Sequence, residues 1–168
     1  ALRVYEMFMG PFDQAIPWST EGLIGVRRFL DRVWKFSGSV KEDVAIDDRL
    51  ERKLHQTIKK VSEDIETMGY NTAVSALMIM LNEMEAQSVV ATSVYCQFLQ
   101  LLWPFAPHLA SELYFNLTGT DIARAPWPQF AKTKIAEKEV EIIFQVNGKV
   151  RGKITMPVGA SEEEAKKA

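Results

Sequence analysis

The spacing of the apolar residues changes once along this chain, and that change constrains the fold more than any other feature. Up to about residue 118 the apolar residues recur with the period of an α-helix. Further on, Val140, Ile142, Phe144 and Val146 occupy every second position, as in a β-strand with one apolar face. The sequence therefore predicts a mainly α protein: an antiparallel helical bundle followed by a small, truncated α+β segment made of a hairpin and a helix.

Residues 1–9 are expected to be the end of a preceding helix, and capping residues divide the rest of the helical part into segments. Ser19 or Thr20 can cap the next helix, Gly69 is expected to close the one that ends near Met68, and Asn71 to cap its successor. The expected helices of the bundle span about residues 20–36, 47–68, 72–85, 88–103 and 107–118. The segment at 88–103 is apolar almost all round, so we expect it at the buried centre of the bundle.

The core is predicted from the apolar stripe of each helix. Met residues on such a stripe are expected in the core, and so are Trp34 and Trp103. The first three stripes comprise Leu23, Val26, Phe29, Leu30, Val33, Trp34 and Phe36; then Leu50, Leu54, Ile58, Val61, Ile65 and Met68; then Val74, Leu77, Met78, Leu81 and Met84. Residues 120–134 form a proline-containing loop that we take as a domain boundary, with Trp127 expected to pin it onto the bundle.

The hairpin at VNGKVRGK, residues 146–153, can be predicted in detail from side-chain parity. A two-residue turn would place Val146 opposite Lys149 and would mix apolar and cationic side chains on one face. A three-residue loop, or a bulge at Gly148, would instead pair Val146 with Val150, Phe144 with Gly152 and Ile142 with Ile154. We therefore expect an odd-length loop or that bulge, with Arg151 and Lys153 exposed together.

Composition excludes some functions for the chain as a whole. Its formal net charge is −2, so any site for a polyanion must be a local patch. The single cysteine, Cys96, lies in an apolar run and is expected to behave as a small buried hydrophobe, which fits a reducing cytoplasm. Polar residues interrupt the apolar run at residues 89–105, so no membrane span and no membrane partner are expected.

Residues suited to catalysis or metal binding are few. The chain has two histidines, His55 and His108, and neither belongs to a metal-ligand cluster, a glycine-rich phosphate loop or a nucleophile elbow. His108 follows two prolines at the start of a helix and is expected to be hydrogen-bonded there. Asp47 and Asp48 are typical of a helix start. The sequence therefore predicts no catalytic residue and no metal site.

Two groups of cations remain as candidates for phosphate binding. Arg28, Arg32 and Lys35 lie on the polar side of the first long helix, and Lys149, Arg151 and Lys153 lie in the hairpin without a neighbouring acid. Lysine and arginine bind phosphate by charge, and arginine also by bidentate hydrogen bonding. The competing explanations are a solvated helix face for the first group and protection of a strand edge by lysine for the second.

Four segments resemble one family of enzymes. YEMFMGPFDQAIPWSTEGLIGVRRFLDRVWKF, residues 5–36, is similar to the segment that follows the catalytic domain of bacterial leucyl-tRNA synthetases. LHQTIKKVSEDIETMGYNTAVSALM, residues 54–78, and WPFAPHLASELY, residues 103–114, resemble the anticodon-binding helices of class Ia synthetases. VNGKVRGK resembles the opening hairpin of the C-terminal domain of the leucine enzymes.

The resemblance implies a division of the chain and a function for each part. Residues 1–134 would be the helical anticodon-binding domain with its connecting N-terminal segment. Residues 135–168 would begin the small C-terminal tRNA-binding domain. The parent enzyme would join leucine to tRNA(Leu) in the cytoplasm, using ATP and Mg²⁺ in a catalytic domain that is not part of this chain. Carried over by motif, Arg28, Arg32 and Lys35 would face the tRNA stem, and Lys149, Arg151 and Lys153 would belong to the outer domain.

Further expectations follow from the same resemblance. The catalytic signatures of the class, of the His-Ile-Gly-His and Lys-Met-Ser-Lys-Ser types, do not occur in the sequence. We therefore expect a fragment that positions tRNA, needs no cofactor of its own, contacts the parent catalytic domain and is a monomer. A second hypothesis from another class is a helical scaffold for protein–protein interaction that binds no nucleic acid.

Overall fold

A computed structural model describes residues 1–11, 13–135, 139–146 and 149–157 of the chain. Contacts divide the chain into two units, Ala1–Lys134 and Ile135–Ala168. The helices of the described part are α1 (Leu2–Phe8), α2 (Thr20–Phe36), α3 (Asp48–Glu66), α4 (Tyr70–Glu85), α5 (Thr92–Leu102), α6 (Pro107–Thr118) and α7 (Lys132–Ile135). Its strands are β1 (Val40–Lys41), β2 (Val90–Ala91), β3 (Glu139–Val146) and β4 (Lys149–Pro157). The predicted mainly α class is confirmed.

Helix α5 is the centre of the first unit, as its apolarity predicted. Leu99 and Leu102 are fully buried, and the Tyr95 hydroxyl donates a 2.6 Å hydrogen bond to the carbonyl oxygen of Val33. The helix begins later than expected because Val90 and the residue after it form β2, which pairs in parallel with β1. A two-residue strand has no periodicity of its own, so this pairing could not be predicted from periodicity.

Helix α2 starts and packs as its sequence predicts, except at Trp34. The Ser19 hydroxyl accepts a hydrogen bond from the Gly22 N–H at 3.1 Å, which satisfies one free donor of the first turn. The buried residues of the helix are Val26, Phe29, Leu30, Val33 and Phe36. Trp34 is 48% exposed, so its assignment to the core was wrong. Trp34 lines a cavity instead.

The connection between α3 and α4 differs from the prediction. Met68, not a glycine, has the left-handed backbone (φ 60°), and its side chain is 54% exposed, so it does not belong to the core. Gly69 is the residue that precedes α4, and Asn71 lies inside that helix. A Cβ at Gly69 would lie 3.2 Å from Oδ1 of Asp64, which is itself 7% exposed. Close approach to a buried carboxylate therefore accounts for the glycine.

The remaining core assignments are largely confirmed. Met84 is fully buried and Met78 is partly buried against the core. Trp103 is also partly buried, and its indole N–H donates to the Ser111 hydroxyl at 3.0 Å. Cys96 is half-buried, and burial raises the pKa of its thiol to about 11, so it is a thiol at neutral pH. Gly119 ends α6 in the left-handed region (φ 68°), as expected of a glycine after a helix.

The second unit contains the antiparallel pair β3–β4. Phe144 pairs with Gly152 and Ile142 with Ile154, as predicted, but Val146 pairs with Lys149 and not with Val150. The register shifts between Phe144 and Gln145, so the additional residue lies within β4, at Arg151. A bulge there restores the parity that a two-residue turn would break. Two predictions fall outside the described part of the chain: the exposure of the Arg151 and Lys153 side chains, and the helix after residue 160. Residues 147 and 148 lie outside it as well.

Candidate functional site

The polar side of α2 carries three cations that are predicted to bind phosphate, and only one of them, Arg32, forms an ion pair in the described part. Arg28 and Lys35 are exposed and form no ion pair within the described part of the chain. Because α2 turns about 100° per residue, two positions seven apart lie on nearly the same side. Arg28 and Lys35 therefore form a ridge along the helix whose charges are available to a ligand, and we call them the cationic ridge.

Arg32 is engaged by helix α4. Its Nε donates to Oε1 of Glu85 at 3.1 Å, and its terminal nitrogen donates to Oδ1 of Asn82 at 2.5 Å and to the second Glu85 oxygen. The hydrogen bond to Glu85 raises the pKa of the Arg32 guanidinium, which stays charged in any case. Arg32 thus joins α2 to the end of α4, and its charge is largely balanced.

A cavity of about 490 Å³ lies between α1, α2 and the start of α6. The lining residues include Ala1, the exposed Trp34, and the almost fully buried Val4, Leu30 and Phe105. Its charged and polar lining comprises Arg3, Arg27, Asp31 and His108. The Arg27 Nε donates to the Asp31 carboxylate at 2.9 Å, which confirms the pair expected four residues apart. Periodicity could not reveal this cavity, because its walls come from three separate helices.

Helix α3 has a charged side that the chain itself covers. A segment of the same unit, residues 126–134, runs back along this side, and we call it the strap. Its hydrogen bonds to α3 include those from the Trp127 indole N–H to the Ser62 hydroxyl at 2.8 Å, from the Ala131 N–H to Nδ1 of His55 at 3.2 Å, and from Lys134 Nζ to Oε1 of Glu51 at 2.6 Å. Trp127 therefore pins the loop onto the bundle, as predicted.

The two histidines differ in their surroundings: His55 bonds to the strap, and His108 is exposed. Burial lowers the pKa of His55, the positive charge of Lys134 lowers it further, and Glu51 partly opposes the shift. His108 is exposed at the start of α6, beside the cavity. Within the described residues no group of histidine, cysteine, aspartate and glutamate side chains could hold a metal ion. Likewise, none of the helices described is long and apolar enough to cross a membrane.

The hairpin cations stay predictions. Lys149, Arg151 and Lys153 all lie on β4, and the bulge makes Arg151 the residue without a partner in the strand register. Their side chains lie outside the described part of the chain. The geometry of the first unit therefore carries the argument about the site.

Comparison with known proteins supplies a family and two relatives. Residues 47–166 match the family described as the anticodon-binding domain of tRNA ligase. A leucine–tRNA ligase of Bdellovibrio bacteriovorus is 46% identical, in an alignment that covers 98% of this chain and 22% of that ligase. A chain from the crystal structure of the Agrobacterium radiobacter LeuRS–tRNA–LeuAMS ternary complex matches with a TM-score of 0.74 at 26% identity, over 99% of this chain and 24% of that one. This chain thus spans less than a quarter of either relative.

Proposed function

Because the chain belongs to the anticodon-binding domain family of tRNA ligases, we propose that it is the tRNA-holding part of a leucine–tRNA ligase. The observation that carries this proposal is the 46% identity to a leucine–tRNA ligase over almost the whole chain. The parent enzyme would ligate leucine to tRNA(Leu) with ATP and Mg²⁺ in the cytoplasm. This part would position the tRNA, and the chemistry would belong to the rest of the ligase.

The cationic ridge on α2 is the proposed contact with the tRNA backbone in the first unit. Arg28 and Lys35 are exposed, and no acid in the described part neutralises them. Phosphate contacts of this kind give affinity and orientation without sequence preference. Arg32 has a different proposed role, since its contacts with Asn82 and Glu85 hold α2 against α4. It would support the ridge without itself binding phosphate.

The ridge is suited to positioning a tRNA because α2 is held firmly against the rest of the first unit. The inner side of α2 is buried, and Tyr95 donates to the carbonyl oxygen of Val33, between the two ridge residues in sequence. At the start of the helix, the backbone N–H of Ser19 donates to the Tyr5 hydroxyl at 2.6 Å. A backbone that is already fixed loses no freedom on binding, so only the side chains of Arg28 and Lys35 have to be ordered, which favours affinity. Lys149, Arg151 and Lys153 are the proposed contacts of the second unit.

A mobility-shift titration tests the proposal. The 168-residue chain is mixed with a tRNA(Leu) transcript at increasing salt concentrations, and the logarithm of the association constant is plotted against that of salt. We expect binding that weakens steadily with salt, because each phosphate contact releases counterions and contributes about 0.7–0.9 to the slope. A parallel assay for leucine-dependent pyrophosphate exchange should show no turnover by this chain alone.

Two results would count against the proposal. If the chain does not shift the transcript even at about 50 mM salt, where such contacts are strongest, the tRNA-holding role is wrong. If a preparation free of other synthetases exchanges pyrophosphate, the separation of tRNA positioning from chemistry is wrong. A full-length ligase carrying Arg28→Ala and Lys35→Ala provides the second arm, in which the KM for tRNA should rise while that for leucine stays the same.

A further inference from the structure

We propose that Tyr95 is a positioning residue for tRNA binding, which fixes the last turn of α2 and thereby holds Lys35 in line with Arg28. The inference deepens the proposed function and rests on it. The two ridge cations occupy different parts of the helix: Arg28 lies at its middle, whereas Lys35 is its last residue but one. Helix ends fray, because the last four carbonyl groups lack a partner within the helix. The position of Lys35 therefore depends on what holds this end.

A side chain of another helix holds the end of α2. The carbonyl oxygen of Val33 is one of the four that an α-helix leaves without an intrahelical partner at this end. The Ser37 N–H, which a longer helix would direct at this oxygen, bonds instead to the carbonyl oxygens of Trp34 and Lys35. The Tyr95 hydroxyl donates to the Val33 oxygen at 2.6 Å. Since Val33 and Tyr95 are both fully buried, water cannot replace this hydrogen bond, and its loss would leave a buried acceptor unsatisfied.

A ring contact and a strand pairing reinforce this hydrogen bond. The Phe36 ring packs against the Tyr95 ring with the centroids 5.7 Å apart. Val33 and Phe36, which lie on either side of Lys35 in the chain, are therefore both attached to Tyr95. Burial raises the pKa of the Tyr95 hydroxyl, so it retains the proton that it donates. Strand β1, which follows α2, also pairs with β2, which leads into the helix that carries Tyr95.

The last turn of α2 determines how the two ridge charges are spaced. On an intact helix, positions seven residues apart lie about 10 Å apart along the axis and on nearly the same side. If the last turn frayed, Lys35 would leave this line, and binding would have to order the backbone as well as the side chain. Tyr95 is buried and does not touch the RNA, so it acts through the backbone of α2.

Tyr95→Phe is the test substitution, because it removes the hydroxyl and keeps the ring that packs against Phe36. Affinity for a tRNA(Leu) transcript is measured by mobility shift at about 50 mM salt. It should fall about 2- to 10-fold, the cost of ordering one additional flexible side chain on binding. Tyr114→Phe is the matched control. It removes a hydroxyl from a half-buried tyrosine of α6 and should leave the affinity unchanged.

A double-mutant cycle distinguishes the positioning of Lys35 from a general loss of structure. In a Lys35→Ala background, Tyr95→Phe should no longer change the affinity, because the cation that it positions is gone. In an Arg28→Ala background, Tyr95→Phe should keep its full effect. The proposal is overturned if Tyr95→Phe leaves the wild-type affinity unchanged, or if it weakens binding equally in both backgrounds. The proposed function stands in these cases if Lys35→Ala itself weakens binding. A wild-type chain that binds no tRNA would overturn both.

Amide hydrogen exchange examines the end of α2 in the wild-type chain, without a substitution. The backbone N–H groups of Trp34, Lys35 and Phe36 should exchange about as slowly as those at the middle of the helix. Tyr95→Phe should accelerate exchange at these three positions about 2- to 10-fold, the effect of losing one hydrogen bond. If the wild-type chain exchanges them as fast as a frayed helix end, Tyr95 does not fix this turn and the proposal is overturned, whether or not the variant folds.

Discussion

The outer sides of α2 and α3 look alike in sequence, but in the structure another segment covers only that of α3. Both helices bury an apolar stripe and direct charged residues outward. The strap returns along α3 and forms hydrogen bonds with Glu51, His55 and Ser62. No such segment in the described part covers the ridge on α2. A charged helix side is therefore a candidate site only if the chain does not fold back over it, and a single helix cannot reveal that.

The same contrast exists within α2 itself. Arg28 and Arg32 are one turn apart and equivalent in sequence, yet only Arg32 meets acidic and amide groups of α4. Its partners are 50 and 53 residues away in sequence, so no local pattern could have separated the two arginines. Of the three cations predicted on α2, two thus form no ion pair in the described part. The comparison of a covered α3 with an open α2 can be tested at several positions.

The largest expected effect concerns the strap. Trp127→Ala should lower the free energy of unfolding by about 2–3 kcal/mol, somewhat less than truncation of a fully buried aromatic residue. It also removes the hydrogen bond that the Ser62 hydroxyl accepts, although that hydroxyl still donates to the carbonyl oxygen of Ile58. Urea denaturation followed by circular dichroism measures the loss. The change should leave RNA affinity as it is. Reduced RNA binding by a folded Trp127→Ala chain would contradict the view that α3 and the strap are scaffold.

The ridge should show the opposite behaviour. Replacing Arg28 and Lys35 by alanine should flatten the salt slope for tRNA by about 1.4–1.8, which corresponds to two phosphate contacts at about 0.7–0.9 each. The free energy of unfolding should stay within about 0.5 kcal/mol, because neither side chain has a partner in the described part. The control is Arg49→Ala with Lys59→Ala, which removes the same charge from two cations already in ion pairs. Equal slopes in both variants would mean that binding follows net charge only.

A smaller effect separates Arg32 from its neighbours. A double-mutant cycle of Arg32→Ala and Glu85→Ala should give a coupling free energy of about 0.5–1 kcal/mol, the upper range for pairs that remain partly exposed. The same cycle with Arg28 in place of Arg32 should give a value near zero. Denaturant titration of the four chains in each cycle measures both. Coupling of equal size in the two cycles would show that Arg32 is not specifically held by α4.

The sequence predicted the parts of this fold that depend on local pattern. The capping by Ser19, the central position of α5 and the end of α6 at Gly119 all follow from caps and periodicity, and they are confirmed. The resemblance to leucyl-tRNA synthetases is confirmed by the relatives. The exposure of Trp34 and the bond of His55 to the strap depend on contacts between distant segments. Burial in those cases is decided by which helices meet, and periodicity carries no information about that.

The smallest effect is a pH dependence of the strap. The folded chain holds the pKa of His55 below its ordinary value of 6.5, chiefly through burial and also through Lys134, while Glu51 opposes the shift. Below pH 6.5 the unfolded chain therefore binds a proton that the folded chain resists. This contribution to stability is complete above pH 6.5 and declines as the pH falls toward the lower pKa of the folded state. We expect a loss of about 0.5 kcal/mol, the low end for one hydrogen bond, in urea denaturation at stepwise lower pH.

His55→Gln should remove this part of the pH dependence, whereas His108→Gln should keep it. If the two variants behave alike, the Ala131 N–H bond does not help to hold the strap on α3.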